Sequence, residues 1–204
     1  MKTWFRFILI GLISAAFPGE IGLKLMYHRA PHAFLITMAN YVWFIAIGLC
    51  VGQFLRRRIA SPFRARLAYF LLYGCIGLSI EWLLLHVYPF QILNPAQLMM
   101  FSFWGGMLLL PWIMVMEEAT PEIVALRRQL WRYLAGWNAV ALLPFPLTQL
   151  FAPAAVPATR GWALFVFGIG VLGMDILYFR YFRSLWRQEA LAPAEAVLGK
   201  STAS

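Results

Sequence analysis

The chain has 204 residues, of which 62% are hydrophobic and only 12% charged, with a mean hydropathy of +0.73 and a net charge of +9. A soluble domain carries about one quarter charged residues, so this composition excludes an ordinary water-soluble fold and points to the bilayer. The positive charge lies between apolar runs, which argues for membrane topology and against nucleic acid as a partner.

Six apolar runs of spanning length fit the chain, near 3–26, 32–55, 67–89, 95–116, 132–152 and 161–184. They predict an all-α fold, a polytopic membrane bundle of six transmembrane helices. One membrane domain, 1–187, is expected, followed by a flexible C-terminal tail, 188–204. With the N-terminus cytoplasmic, six spans return the C-terminus to the cytoplasm. Of the 17 basic residues, Lys24, Arg29 and Arg160 then lie outside and the other 14 inside. That is the bias of the positive-inside rule, and a bacterial-type plasma (inner) membrane is the expected location.

Helix 1 begins with Lys2 and Arg6 ahead of an apolar run. Ser14 and Ala16 resemble a signal cleavage pair, but a retained helix is the expectation. Pro18-Gly19 interrupts it, and Glu20 and Lys24 are spaced for an intrahelical ion pair. The following loop carries His28 and His32, with Pro31 between them disfavouring helix at Ala30. Together with His86 and Glu20 they form a candidate polar cluster at the outer face. Its residue types suit Zn²⁺ or a non-haem iron, yet the spacing does not require a metal. Neither metal nor cofactor is assigned.

Helix 2 contains Asn40, and its Gly48 and Gly52 are spaced for close approach of another helix. Arg56, Arg57 and Arg58 stop it. Ser61-Pro62 reads as a helix start, and Asn94-Pro95 and Thr120-Pro121 repeat the signal. Helix 3 is the stretch around which the rest is read. Leu67 to Pro89 rises about 35 Å, enough for a hydrocarbon core of roughly 30 Å, and contains one carboxylate, Glu81. An acid there costs roughly 2.5 kcal/mol or more unless paired, hydrated or protonated.

Helix 4 holds Trp104-Gly105-Gly106 and Pro111, which suggest close packing or a bend, and ends at Glu117-Glu118. Ile123, Leu126 and Leu130 then share a face with Arg127 and Arg128 opposite, the pattern of a short amphipathic helix on the cytoplasmic surface that feeds into helix 5. Helix 5 carries Asn138 and is bent or unwound by Pro144-Phe-Pro146. Helix 6 contains Asp175, for which Arg180 is the nearest candidate ion partner. Cys50 and Cys75 fall within spans and read as small apolar residues.

Shifting the sequence by 94 pairs Gly74 with Gly168, Leu78 with Leu172, Glu81 with Asp175 and Leu83 with Leu177. A shift of 98 pairs Asn40 with Asn138. The match is weak, and it suggests a 3+3 inverted repeat of the kind built into many secondary transporters. On that reading Glu81, Asp175, Asn40 and Asn138 are the ion- or substrate-binding residues. Three functions follow. The first is a small ion- or proton-coupled transporter or permease. The second is a membrane-embedded enzyme acting on a lipid or isoprenoid at the outer face. The third is a packing or assembly subunit. The lipid bilayer is an expected partner, with a homo-oligomer or a larger membrane complex beside it. No HExxH, GxSxG, Walker A or GxGxxG pattern is present.

Overall fold

A computed structural model describes residues 2–15, 31–85, 95–142 and 156–201. The described residues form six helices and no strands. They are α1 (Thr3–Ala15), α2 (Pro31–Arg58), α3 (Pro62–Leu85), α4 (Pro95–Pro111), α5 (Pro121–Leu142) and α6 (Val156–Ser201). A π-helical turn, Trp112–Met116, extends α4. Four stretches are long and apolar enough to cross a membrane: Ala39–Arg58, Pro62–Ile80, Gln97–Met116 and Phe165–Leu191. Thr3–Ser14 is apolar but shorter.

Packing gives each helix a direction. Phe7 meets Trp112 and Ser14 approaches Met107, so α1 runs against α4. Gly48 receives Leu108 and Gly52 receives Trp112, so α2 runs with it. Arg66 pairs with Glu117 and Gly74 receives Phe101, so α3 runs against it. Phe103 meets Phe167 and Glu117 meets Tyr181, so α6 runs with α4. Trp137 bonds to Val166 O and Tyr133 to Ile169 O, setting α5 against α6. The helices alternate throughout.

The centre of the bundle is α4. Every residue from 103 to 113 is buried, and α4 contacts α1, α2, α3 and α6. Helix 3, from which the sequence is most easily read, is instead one of its neighbours. On α6, Phe165, Ile169, Leu172, Ile176 and Phe179 form one stripe that is 51–67% exposed. The opposite stripe of α6, with Val171, Met174, Tyr178, Tyr181 and Leu185, is buried. So large an exposed apolar face would be a liability in water and is ordinary against acyl chains. These helices are compatible with an integral membrane protein.

Several expectations change. The amphipathic segment after Thr120 is not a separate surface helix but the first turns of α5. Its buried stripe runs on unbroken through Ile123, Leu126, Leu130, Leu134 and Trp137. The glycines at 48 and 52 do admit another helix closely, and it is α4 with its π turn, through Leu108 and Trp112. Both cysteines are exposed rather than buried. Helix α6 is one continuous element from Val156 to Ser201, which leaves the expected domain boundary at 187 untested. Pro18-Gly19, Lys24, Asn94 and Pro144-Phe-Pro146 lie outside the described residues.

Candidate functional site

Two polar centres stand out. The first surrounds Asp175, midway along the α6 span. Ser102 of α4 hydrogen-bonds to its carboxylate. The two residues border a cavity of about 20 Å³ whose lining also includes Ser14, Gly106, Trp137 and Tyr178. That is room for about one water molecule or a bare ion, provided polar partners surround it.

The backbone around this cavity is polar as well. Pro111 has no N–H, so the carbonyl of Met107 loses its helical donor. Ser14 Oγ lies 2.9 Å from Gly11 O and 3.5 Å from Met107 O, making the second contact the weaker arm of a shared hydrogen bond. Tyr178 donates its hydroxyl to Gly106 O at 2.9 Å. Gly106 is required there, since a Cβ would strike the Tyr178 ring. Four helices, α1, α4, α5 and α6, thus line one cavity beside this carboxylate.

The second centre lies where α3 begins and α4 ends. Arg66 Nε donates to Glu117 Oε1 at 2.6 Å, Trp112 Nε1 at 2.9 Å and Tyr181 OH at 2.6 Å. Three donors from α3, the π turn and α6 therefore share one carboxylate oxygen. The π turn makes the second of them feasible. Residues five apart on an α-helix point about 140° away from one another. Widening the turn brings Trp112 and Glu117 together, with Glu117 N donating to Trp112 O at 3.3 Å. Burial pushes the Glu117 carboxyl up. The hydrogen bond and charge of Arg66, with the Tyr181 and Trp112 donors, more than offset that and hold it below its usual range.

Arg127 closes the same end of α4. Its Nε donates to Ile113 O at 2.9 Å and its Nη2 to Glu117 O at 2.6 Å, capping the last carbonyls with a cation. At the start of α3, Ser61 Oγ accepts from Arg64 N at 3.0 Å and donates to the Glu189 carboxylate at 2.8 Å. Phe63 N donates to Glu189 Oε1 at 2.7 Å. Thr120 Oγ1 accepts from Ile123 N at 3.3 Å, the N-cap that Thr120-Pro121 announces.

Of the other candidate residues, only Asn40 and Asn138 have described side chains. Asn40 is on an exposed face of α2. Asn138 is half-buried on α5. It donates to Leu134 O at 2.7 Å, and its Oδ1 is buried with no hydrogen-bond partner among the described residues. Glu81 sits on α3 and His32 on α2, but their side chains are outside the described residues, as are Glu20, His28 and His86 entirely. Among the described residues no group of His, Cys, Asp or Glu has the arrangement of a metal site. Arg180 is exposed on α6, and it is Ser102 that meets Asp175.

Sequence reasoning missed the Glu117 centre. Its signal was Arg66 in the first turns of the α3 span, a charge that needs a partner and has no acid within a helical turn. Comparison with family models, with curated proteins and with solved structures gives no match.

Proposed function

We propose that the chain is a six-span integral membrane protein working as a small ion- or proton-coupled transporter, with Asp175 as its coupling group. The observation that carries the reading is the placement of this carboxylate. It lies inside a span, bonded to Ser102, beside a water-sized cavity that Ser14 and Tyr178 line together with apolar side chains such as Leu134, Val171 and Met174. Ionisable residues in such positions mark ion and proton pathways, and a cavity of this size suits a proton or a bare cation better than an organic solute. The opposed directions of α3 and α6 agree with an inverted repeat that relates Glu81 to Asp175. The exposed Asn40 and half-buried Asn138 are not equivalent, so Asn40 has no part in this reading.

The basic residues gathered where α2 ends and in the first turns of α3 and α5 support a cytoplasmic placement of both termini. The test uses proteoliposomes containing a trapped pH-sensitive dye, with Na⁺ or K⁺ gradients imposed in turn. The expected result is a proton flux driven by one of the cations, abolished in Asp175→Asn and strongly reduced in Glu81→Gln. Undiminished flux in both variants, or none from the native protein with any cation, overturns the reading.

A further inference from the structure

A cleft of about 310 Å³ opens beside the Glu117 centre, where three candidate spans reach their ends. This is the lower range of pockets that accept small molecules. Its charged lining consists of Arg56, Arg66, Glu117 and Glu118. Two of these cancel, because Arg66 and Glu117 form a buried ion pair with side-chain exposures of 5% and 13%. Arg56 and Glu118 remain, both exposed, and neither forms an ion pair among the described residues. The cleft therefore presents one cation and one anion. Its remaining wall includes Ile59, Ile123 and Leu185, with Thr120 and Gln188 as neutral polar groups.

An anion alone would meet a cleft of no net charge. The neighbouring N-terminus of α3, a natural phosphate seat, is already taken by the Glu189 carboxylate. We infer that the cleft binds a zwitterion carrying a phosphate and a primary ammonium, the phosphate on Arg56 and the ammonium on Glu118. The apolar wall lies at the boundary where a phospholipid would present such a group. Phosphatidylethanolamine and soluble phosphoethanolamine share this chemistry. The inference does not depend on transport.

Native mass spectrometry of the full chain in detergent, titrated separately with phosphatidylethanolamine, phosphatidylcholine and phosphatidylglycerol, tests it. Phosphatidylethanolamine should bind about tenfold more tightly than either competitor, since choline has no N–H to donate and glycerol has no charge. Arg56→Ala and Glu118→Gln should each remove that preference, while Arg64→Ala, exposed and outside the cleft, retains it. Circular dichroism melting curves should be unchanged in all three, because no substituted side chain belongs to the ion pair. Soluble O-phosphoethanolamine separates the two sources. Displacement of the lipid by it shows that the headgroup suffices, and persistence of a variant-sensitive lipid adduct shows that the acyl chains are also needed; both support the site. Equal binding of phosphatidylglycerol, or a preference surviving Arg56→Ala and Glu118→Gln, overturns it.

Discussion

Arg66 sits over the ring of Trp112, its Cζ 4.7 Å from the ring centroid, and the two side chains donate to the same oxygen of Glu117. Such a guanidinium uses its planarity twice, for stacking and for a directed hydrogen bond, and lysine reproduces neither. Arg66→Lys should therefore cost about 1 kcal/mol through the lost stacking alone. Glu117→Ala, which strands a buried cation, should cost about 3 kcal/mol or more. Replacing both residues by methionine should recover much of that loss. Thermal unfolding in detergent measures all three, and additive losses in the double variant would contradict the pairing.

The same carboxylate sets an acid limit. Glu117 is held below its ordinary 4.5 in the folded protein. Its stabilising contribution is complete above about pH 4.5, where the unfolded chain's carboxyl is ionised too, and disappears as pH falls through the lower folded value. Melting temperature should drop with acid in that window for the native chain. Glu117→Gln should start lower and show a flatter acid limb.

Two glycines offer a contrast in packing. A Cβ at Gly52 would overlap the Trp112 ring, whereas nothing lies within 4 Å of one at Gly136. Gly52→Ala should cost about 1–3 kcal/mol by overpacking. Gly136→Ala should be neutral or stabilise α5 by about 0.5–1 kcal/mol, the ordinary helix preference for alanine. Parallel melting curves decide the matter.

What could be read in advance was local. Ser61-Pro62 and Thr120-Pro121 start helices because a hydroxyl and a proline act within one turn. The arginine run at 56–58 ends α2 for an equally near-sighted reason. Asp175 was visible as a lone acid in an apolar run. The hydroxyl that answers it, Ser102, was not, because it comes from another helix. Arg66 and Glu117 are joined across 51 residues, and nothing in either neighbourhood names the other. The central position of α4 was hidden for a different reason. A helix apolar on all sides has no periodicity to show which neighbours it will meet.

Glu189 joins the far end of α6 to the first turn of α3, accepting from Phe63 N and Ser61 Oγ. Removing this carboxylate exposes amides that Ser61 alone cannot satisfy. Glu189→Ala should cost about 1 kcal/mol, in the range of N-cap losses. Ser61→Ala should cost less when added to it than alone, since the hydroxyl's bond to the carboxylate is then already gone and only its bond from Arg64 N remains to lose. Full additivity would indicate independent roles.

Enclosure of α4 from 103 to 113 has a bearing on tolerance to change. An outer helix has a lipid-facing side on which one oily side chain replaces another with little penalty. A helix ringed by protein has no such neutral side, and each exchange must be answered by a neighbour. In a saturation mutagenesis library, surviving substitutions should therefore thin out along this rod at every register, while those on α6 should recur with the beat of its outward stripe.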